Sequence, residues 1–229
     1  MTLAMKLELD HLIVAAADLD SGARHVAELL GIAPQAGGAH ARMGTHNRVM
    51  GLADGIYLEV IAVDPDAPAP AHARWFGLDE EAMRRRLARG PFLAHWAARV
   101  PDTADLSAWQ AQHPLRIAPV LPMSRGDLRW RLTVPEDGSL PGWAGVAGGG
   151  VVPTLIQWDV PHHPGRSLPR QPLRLRSLKG HHAQAPLLAQ GLQWLGADGL
   201  MALDTLADDA GTPWLEAEME TAQGLRILR

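Results

Sequence analysis

The sequence predicts an α+β protein made of paired βαβββ modules, with a βαβββ-like partial module added at the C-terminal end. Three observations predict it. The first sixty-odd residues read as strand, helix and strand meander, the same order starts again at Phe92, and a shorter version closes the chain. Repetition of one architecture is a stronger signal than any single segment. The divisions fall at residues 1–64, a connector with a short helix over 65–91, a second module over 92–165 and a C-terminal module over 166–229.

Leu7 to Ala15 is rich in β-branched and apolar residues and reads as a strand. Asp18 to Ser21 offers helix N-caps, Ala23, Val26, Ala27 and Leu30 recur at helical spacing, and Gly31 stops the helix. Strands then flank Asp54-Gly55, the strongest hairpin signal in the chain. The run Asp64 to Ala71, rich in proline and alanine, is a connector, and Asp79 to Arg89 is a short helix. Its three arginines, Arg84 to Arg86, point around three faces of that helix and read as solvated surface rather than an anion site.

In the second unit, Phe92 to Val100 is a strand and Asp102 to Gln112 a helix, with strands at Leu115–Val120, Leu128–Val134 and Val151–Trp158. Gly142 to Gly150 lacks the ending of a phosphate loop and reads as a flexible loop over or beside a cavity. In the third unit, Pro172 to Leu178 alternates as a half-exposed strand and Pro186 to Leu195 is helical, closed by Gly196. Strands follow at 200–206, 214–220 and 225–228.

Composition narrows the classes. Among 229 residues, 47% are hydrophobic and 20% charged, the profile of an ordinary folded chain. A formal charge of −4 offers no attraction to nucleic acid or to an anionic membrane. With no cysteine, disulfides, thiolate nucleophiles and Cys-ligated zinc are excluded. The first residues lack a basic start followed by an apolar run, and no stretch approaches the apolar length of a membrane helix, so a cytoplasmic location is expected. Serine-hydrolase, zincin and dinucleotide motifs are absent.

The chemistry concentrates in the strands. His11 and His95 lie in the first strands of units one and two, and Glu59 and Gln157 in their last strands. Alternation places Leu9, His11 and Ile13 on one face of their strand, and Tyr57, Glu59 and Ile61 on one face of theirs. A carboxylate between Leu58 and Val60 is expensive unless paired or bound to a cation. Two imidazoles, a carboxylate and an amide oxygen converging there would hold a divalent ion such as Zn, Ni, Mn, Co or Fe, with open positions to polarise a substrate.

Asp10-His11-Leu12-Ile13-Val14-Ala15, followed by Asp18-Leu19-Asp20 and a helix ending in Leu30-Gly31, resembles the opening of vicinal-oxygen-chelate proteins, the glyoxalase, bleomycin-resistance and dioxygenase superfamily. Gly44 to Arg48, Tyr57 to Glu59, Ser124-Arg125, Arg129 to Leu132 and Pro153 to Trp158 resemble its bacterial glyoxalase-like domain family, over about Leu7 to Pro164. The resemblance implies curved mixed sheets around a cavity, with metal ligands at the positions of His11, Glu59, His95 and Gln157. It implies a metal-assisted lyase or isomerase acting on a small oxygenated metabolite, with Glu59 moving the proton. A dioxygenase is disfavoured, because superfamily dioxygenases gather their ligands within one module. A metal-free protein that sequesters a small molecule is the alternative, and whether one chain closes the cavity or a homodimer shares it stays open.

Plainer readings stand beside these. A histidine in an apolar strand is often a hydrogen-bonded core residue, and a buried amide such as Gln157 often satisfies backbone. Of His162 and His163, after the candidate ligand strand, one would be a proton donor at the cavity mouth, or both lie in an exposed loop. His46 and Asn47 read as turn residues, His181-His182 as surface, and Trp96, Trp130 and Trp158 as core.

Overall fold

A computed structural model describes residues 5–161, 163–207 and 211–229. The first unit contains β1 (Glu8–Ala15), α1 (Leu19–Leu30), β2 (Gln35–His40), β3 (Thr45–Gly51) and β4 (Tyr57–Val63). Its signals act as their chemistry dictates. The Asp18 carboxylate accepts the Ser21 N–H at 2.8 Å to start α1, and Gly31 ends it at φ 80°. Asp54 and Gly55 both take positive φ between β3 and β4. A connector carries α2 (Glu81–Leu87).

The second unit follows with β5 (Phe92–Arg99), α3 (Leu106–Gln112), β6 (Val120–Arg125), β7 (Leu128–Thr133) and β8 (Thr154–Trp158). The expected strand over Leu115–Val120 is instead a loop up to Val120, with Leu115 fully exposed. The eight strands form one mixed sheet in the order β2-β3-β4-β1-β5-β8-β7-β6. In each module the first strand pairs in parallel with the last, and the two first strands meet antiparallel at the seam. The modules are therefore related as two halves of one curved sheet. Its edges β2 and β6 approach each other, where Arg42 donates to the Pro122 carbonyl at 3.4 Å.

The third unit holds α4 (Pro164–Ser167), β9 (Arg174–His182), α5 (Ala185–Leu195), β10 (Ala202–Thr205), β11 (Trp214–Thr221) and β12 (Gly224–Leu228). Its strand order, β10-β9-β11-β12, differs from that of the other two. Here the first strand pairs in parallel with the strand just after the helix, not with the last. The element order repeats while the wiring does not. This sheet packs on the outer face of the large one, where Leu215, Ala217 and Met219 join Trp96, Leu12 and Val14 in one core. A second core, inside the curve, contains Ile13, Ile61, Phe76 and Trp130.

The 142–150 loop, expected at the cavity, packs instead against the third unit. Trp143 lies on Gly191 of α5, and the Ala147 carbonyl lies 3.0 Å from the His182 Nε2. His182 is thereby buried, although the sequence placed it at the surface. No described helix is long and apolar enough to cross a membrane.

Gly22 shows how closely α1 lies on the sheet, since a Cβ there would come within 2.5 Å of the Val60 side chain. Gly22→Val is expected to lower the unfolding free energy by roughly 1–3 kcal/mol, read as a shifted urea midpoint.

Candidate active site

Two strands of the first module bring the central pair together. His11 pairs with Tyr57 and Ile13 with Glu59, so all four side chains face the inside of the curve, as alternation predicted. His11, Tyr57 and Glu59 border a cavity of about 240 Å³. His11 stacks on Tyr57 with ring centres 4.5 Å apart, and its Nε2 lies 3.6 Å from a Glu59 oxygen.

The ring is held from behind by Asp10. Neighbours on a strand ordinarily point to opposite faces, but the β1–β5 register slips between Leu9 and His11, leaving Asp10 as an extra residue. Its carboxylate is fully buried and lies 2.6 Å from His11 Nδ1, 2.7 Å from His163 Nε2 and 3.0 Å from Trp158 Nε1. The Gly165 N–H donates to His163 Nδ1 at 3.1 Å, which leaves His163 Nε2 as the donor to Asp10. Burial by itself raises the Asp10 pKa; the hydrogen bonds from His11 and His163 overcome it and hold the carboxyl well below its ordinary range. Asp10 remains an acceptor, so His11 donates through Nδ1 and turns Nε2 toward Glu59.

Polar groups continue on the far side of Glu59. The Asn47 amide donates to Glu59 at 2.5 Å, and its oxygen accepts from the Gly38 N–H and from Arg125, each at 2.9 Å. Close packing explains the glycines in β2. A Cβ at Gly37 would meet the Asn47 oxygen at 2.0 Å, and one at Gly38 the Arg125 side chain at 2.7 Å. His40 Nε2 faces both Asn47 and Arg125 at 3.4 Å, and burial pushes its pKa down to about 4. Tyr57 is pushed well above its ordinary value, first by burial and then by the negative Asp10 and Glu59. Trp75, Phe76, Trp130 and Trp158 supply the apolar walls. The Trp75 indole N–H is buried without a partner among the described residues.

The structure places the other expected residues elsewhere. His95 is fully buried, its Nδ1 donating to the Gly150 carbonyl at 3.2 Å and its Nε2 accepting from the Thr154 N–H at 3.1 Å. Burial pushes its pKa down to about 3. The register shows why Gln157 fails as the counterpart of Glu59. Two residues beyond His11, Ile13 pairs with Glu59; two residues beyond His95, Ala97 pairs with Thr154. Gln157 has the other parity and sits under α3, accepting from the Leu106 N–H at 2.9 Å and donating to the Ala104 carbonyl at 2.7 Å.

The four expected metal ligands therefore do not converge. His11 and Glu59 meet, whereas His95 and Gln157 are committed to their own hydrogen bonds. Among the described residues no three histidine, aspartate or glutamate side chains form a ligand group. Arg125, a fixed cation, already occupies the side of Glu59 reached through Asn47. The residues present do not fit the expected four-ligand ion.

His163 is not at the cavity mouth but behind His11, on Asp10; His162 lies outside the described residues. His46 points out of the cavity that Asn47 enters, toward Asp64 at 3.9 Å. Asp10, Arg125 and the Trp75-Phe76 pair were not among the expected site residues, and Trp130 and Trp158, expected as core rather than substrate platform, also line the cavity. An acid inside an apolar strand, and two adjacent aromatics within a proline-rich connector, were the available signals.

Two βαβββ modules joined in one curved mixed sheet around a small cavity are the architecture expected from the sequence. The sequence profile of the glyoxalase-like domain matches residues 9–196, and the chain belongs to that family. Among curated proteins nothing matches. Among solved structures, a hypothetical protein from Staphylococcus aureus is 14% identical with a TM-score of 0.59, covering 97% of this chain and 84% of that one. Methylmalonyl-CoA epimerase from Mycobacterium tuberculosis is 18% identical with a TM-score of 0.41, covering 69% and 90%. A variant of the Streptomyces coelicolor methylmalonyl-CoA epimerase, in complex with 2-nitronate-propionyl-CoA, is 18% identical with a TM-score of 0.40, covering 68% and 99%.

Two outcomes are expected from this arrangement. Gln157→Ala strips buried backbone groups of their partners and is expected to cost about 1–3 kcal/mol of stability while ligand binding in the cavity is retained, read by urea unfolding beside a binding titration. His40 and His95 hold folded pKa values of about 4 and about 3, below the ordinary 6.5. As pH falls below about 6.5 the unfolded chain takes up protons that the folded chain refuses, so stability falls progressively toward about pH 3. Unfolding midpoints measured from pH 7.5 to 4 should decline, and His95→Gln should make that decline shallower.

Proposed function

We propose that this protein is a lyase or isomerase that moves a proton on a small oxygenated metabolite, with His11 and Glu59 as the acid–base pair. The observation that carries the reading is the orientation of His11. With Nδ1 bonded to Asp10, Nε2 faces Glu59 inside a mostly apolar cavity. Such a pair can remove a proton from a substrate carbon with one group and return it with the other. Arg125 supplies a fixed positive charge for a carboxylate or for the oxyanion that forms beside the carbanion. The unpartnered Trp75 N–H would be satisfied by a further substrate oxygen.

This reading routes no step through a metal ion. It also needs no second copy of the chain, because every acting group named comes from one chain. Capture of a small apolar molecule without chemistry is the second reading, favoured by the aromatic walls.

The test is hydrogen–deuterium exchange at carbon, followed by proton NMR in D2O with a panel of 2-oxo acids, hydroxy ketones and α-hydroxy acids. Exchange on at least one compound is expected, reduced about 10²–10⁴-fold in Glu59→Gln and in His11→Ala. Arg125→Ala should weaken binding more than it slows exchange at saturation. Compounds that bind without any exchange would overturn the acid–base reading and leave the capture reading.

A further inference from the structure

A second groove, of about 640 Å³, opens where α2 meets the C-terminal sheet. It is separate from the site above: Phe92, in its wall, pairs with Ala15, four residues along β1 from His11 and so about 13 Å away. Arg85, Arg86, Arg89 and Arg229 border it together with Phe92 and Trp214, and no acidic side chain does among the described residues.

The four cations are not equivalent. Arg85 pairs with Glu81 and Arg229 with the largely buried Glu216, so these two cations are already partly neutralised. Arg86 and Arg89 have no acidic partner among the described residues, and both border the groove, Arg86 from α2 and Arg89 from the turn that follows it. Arg86 is half-buried, its guanidinium 3.8 Å from the centre of the Phe92 ring and donating to the Pro213 carbonyl at 3.1 Å. That stacking fixes the fork and leaves donors unspent. The aromatic faces are already covered, Phe92 by Arg86 and Trp214 by His181 and Arg229. What the groove offers a ligand is several guanidinium edges rather than a ring to stack on.

Guanidinium forks match the oxygens of phosphate in charge and geometry. The volume exceeds what one phosphate needs, and the cations are distributed around it. We propose that this groove binds a di- or triphosphate chain, whether free or carried by a small molecule. The three consecutive arginines of the sequence thus divide: Arg85 and Arg86 border the groove while Arg84 is exposed outside it.

Calorimetric titration of the whole chain at low ionic strength, with tripolyphosphate, ATP and citrate as probes, tests this. Tripolyphosphate should bind wild type and weaken about tenfold or more in Arg89→Glu, an exposed position that does not endanger folding. Arg84→Glu makes the same change of charge outside the groove and should alter affinity by no more than about twofold. ATP binding as tightly as tripolyphosphate assigns the groove to a nucleotide's phosphate chain; weaker ATP binding assigns it to a free chain. Absence of tripolyphosphate binding, equal losses in the two variants, or citrate binding as tightly as tripolyphosphate would overturn the proposal.

Discussion

The buried carboxylate of Asp10 is the constraint on which the site depends. An ionised acid with no solvent access is tolerable only when donors surround it, and here His11, His163 and Trp158 do so. Each donor comes from a different part of the chain: β1 itself, the turn before α4 and the last strand of the second module. One acceptor therefore fixes three things at once. It sets which nitrogen of His11 is free, it anchors the segment after β8 against the first module, and it pins the end of β8 across the seam. The slip in register that turns Asp10 inward is thus part of the machinery.

The two modules share an architecture but have divided the work. At matching places in the register, the first holds His11 facing Glu59 and the second holds His95 bonded to Thr154. The first pair faces a cavity with Arg125 nearby. The second is a closed hydrogen-bonded unit, tied through Gly150 to the loop that packs on the C-terminal unit. An imidazole kept neutral by burial is a structural part, and it contributes to stability only while it stays unprotonated. The sheet of the third unit covers the outer face of the large sheet, so the cavity lies on the inner one.

Much of this was legible in the sequence because local chemistry decided it. The Asp18 cap, the Gly31 stop, the Asp54-Gly55 turn and the alternation that turns His11, Tyr57 and Glu59 inward act within a few residues. What was not legible depends on register or on distant contacts. Gln157 looked equivalent to Glu59 by its strand, but only the pairing of Ala97 with Thr154 shows that its parity is wrong. The slip at Asp10 leaves no mark in a single sequence beyond an acid in an apolar run. Trp75 and Phe76 reach the cavity through a turn in which Phe76 adopts φ 59°, which no periodicity predicts. The third unit repeats the order of elements, and order alone does not say which strands pair.

That Asp10 orients His11 with Nε2 free is open to a direct measurement. Nitrogen-15 NMR of the histidine side chains distinguishes the protonated from the bare ring nitrogen at each position. His11 should carry its proton on Nδ1 and His163 on Nε2, with the His11 preference lost in Asp10→Ala. A His11 ring carrying its proton on Nε2 alone, or an unchanged signal in Asp10→Ala, would contradict it.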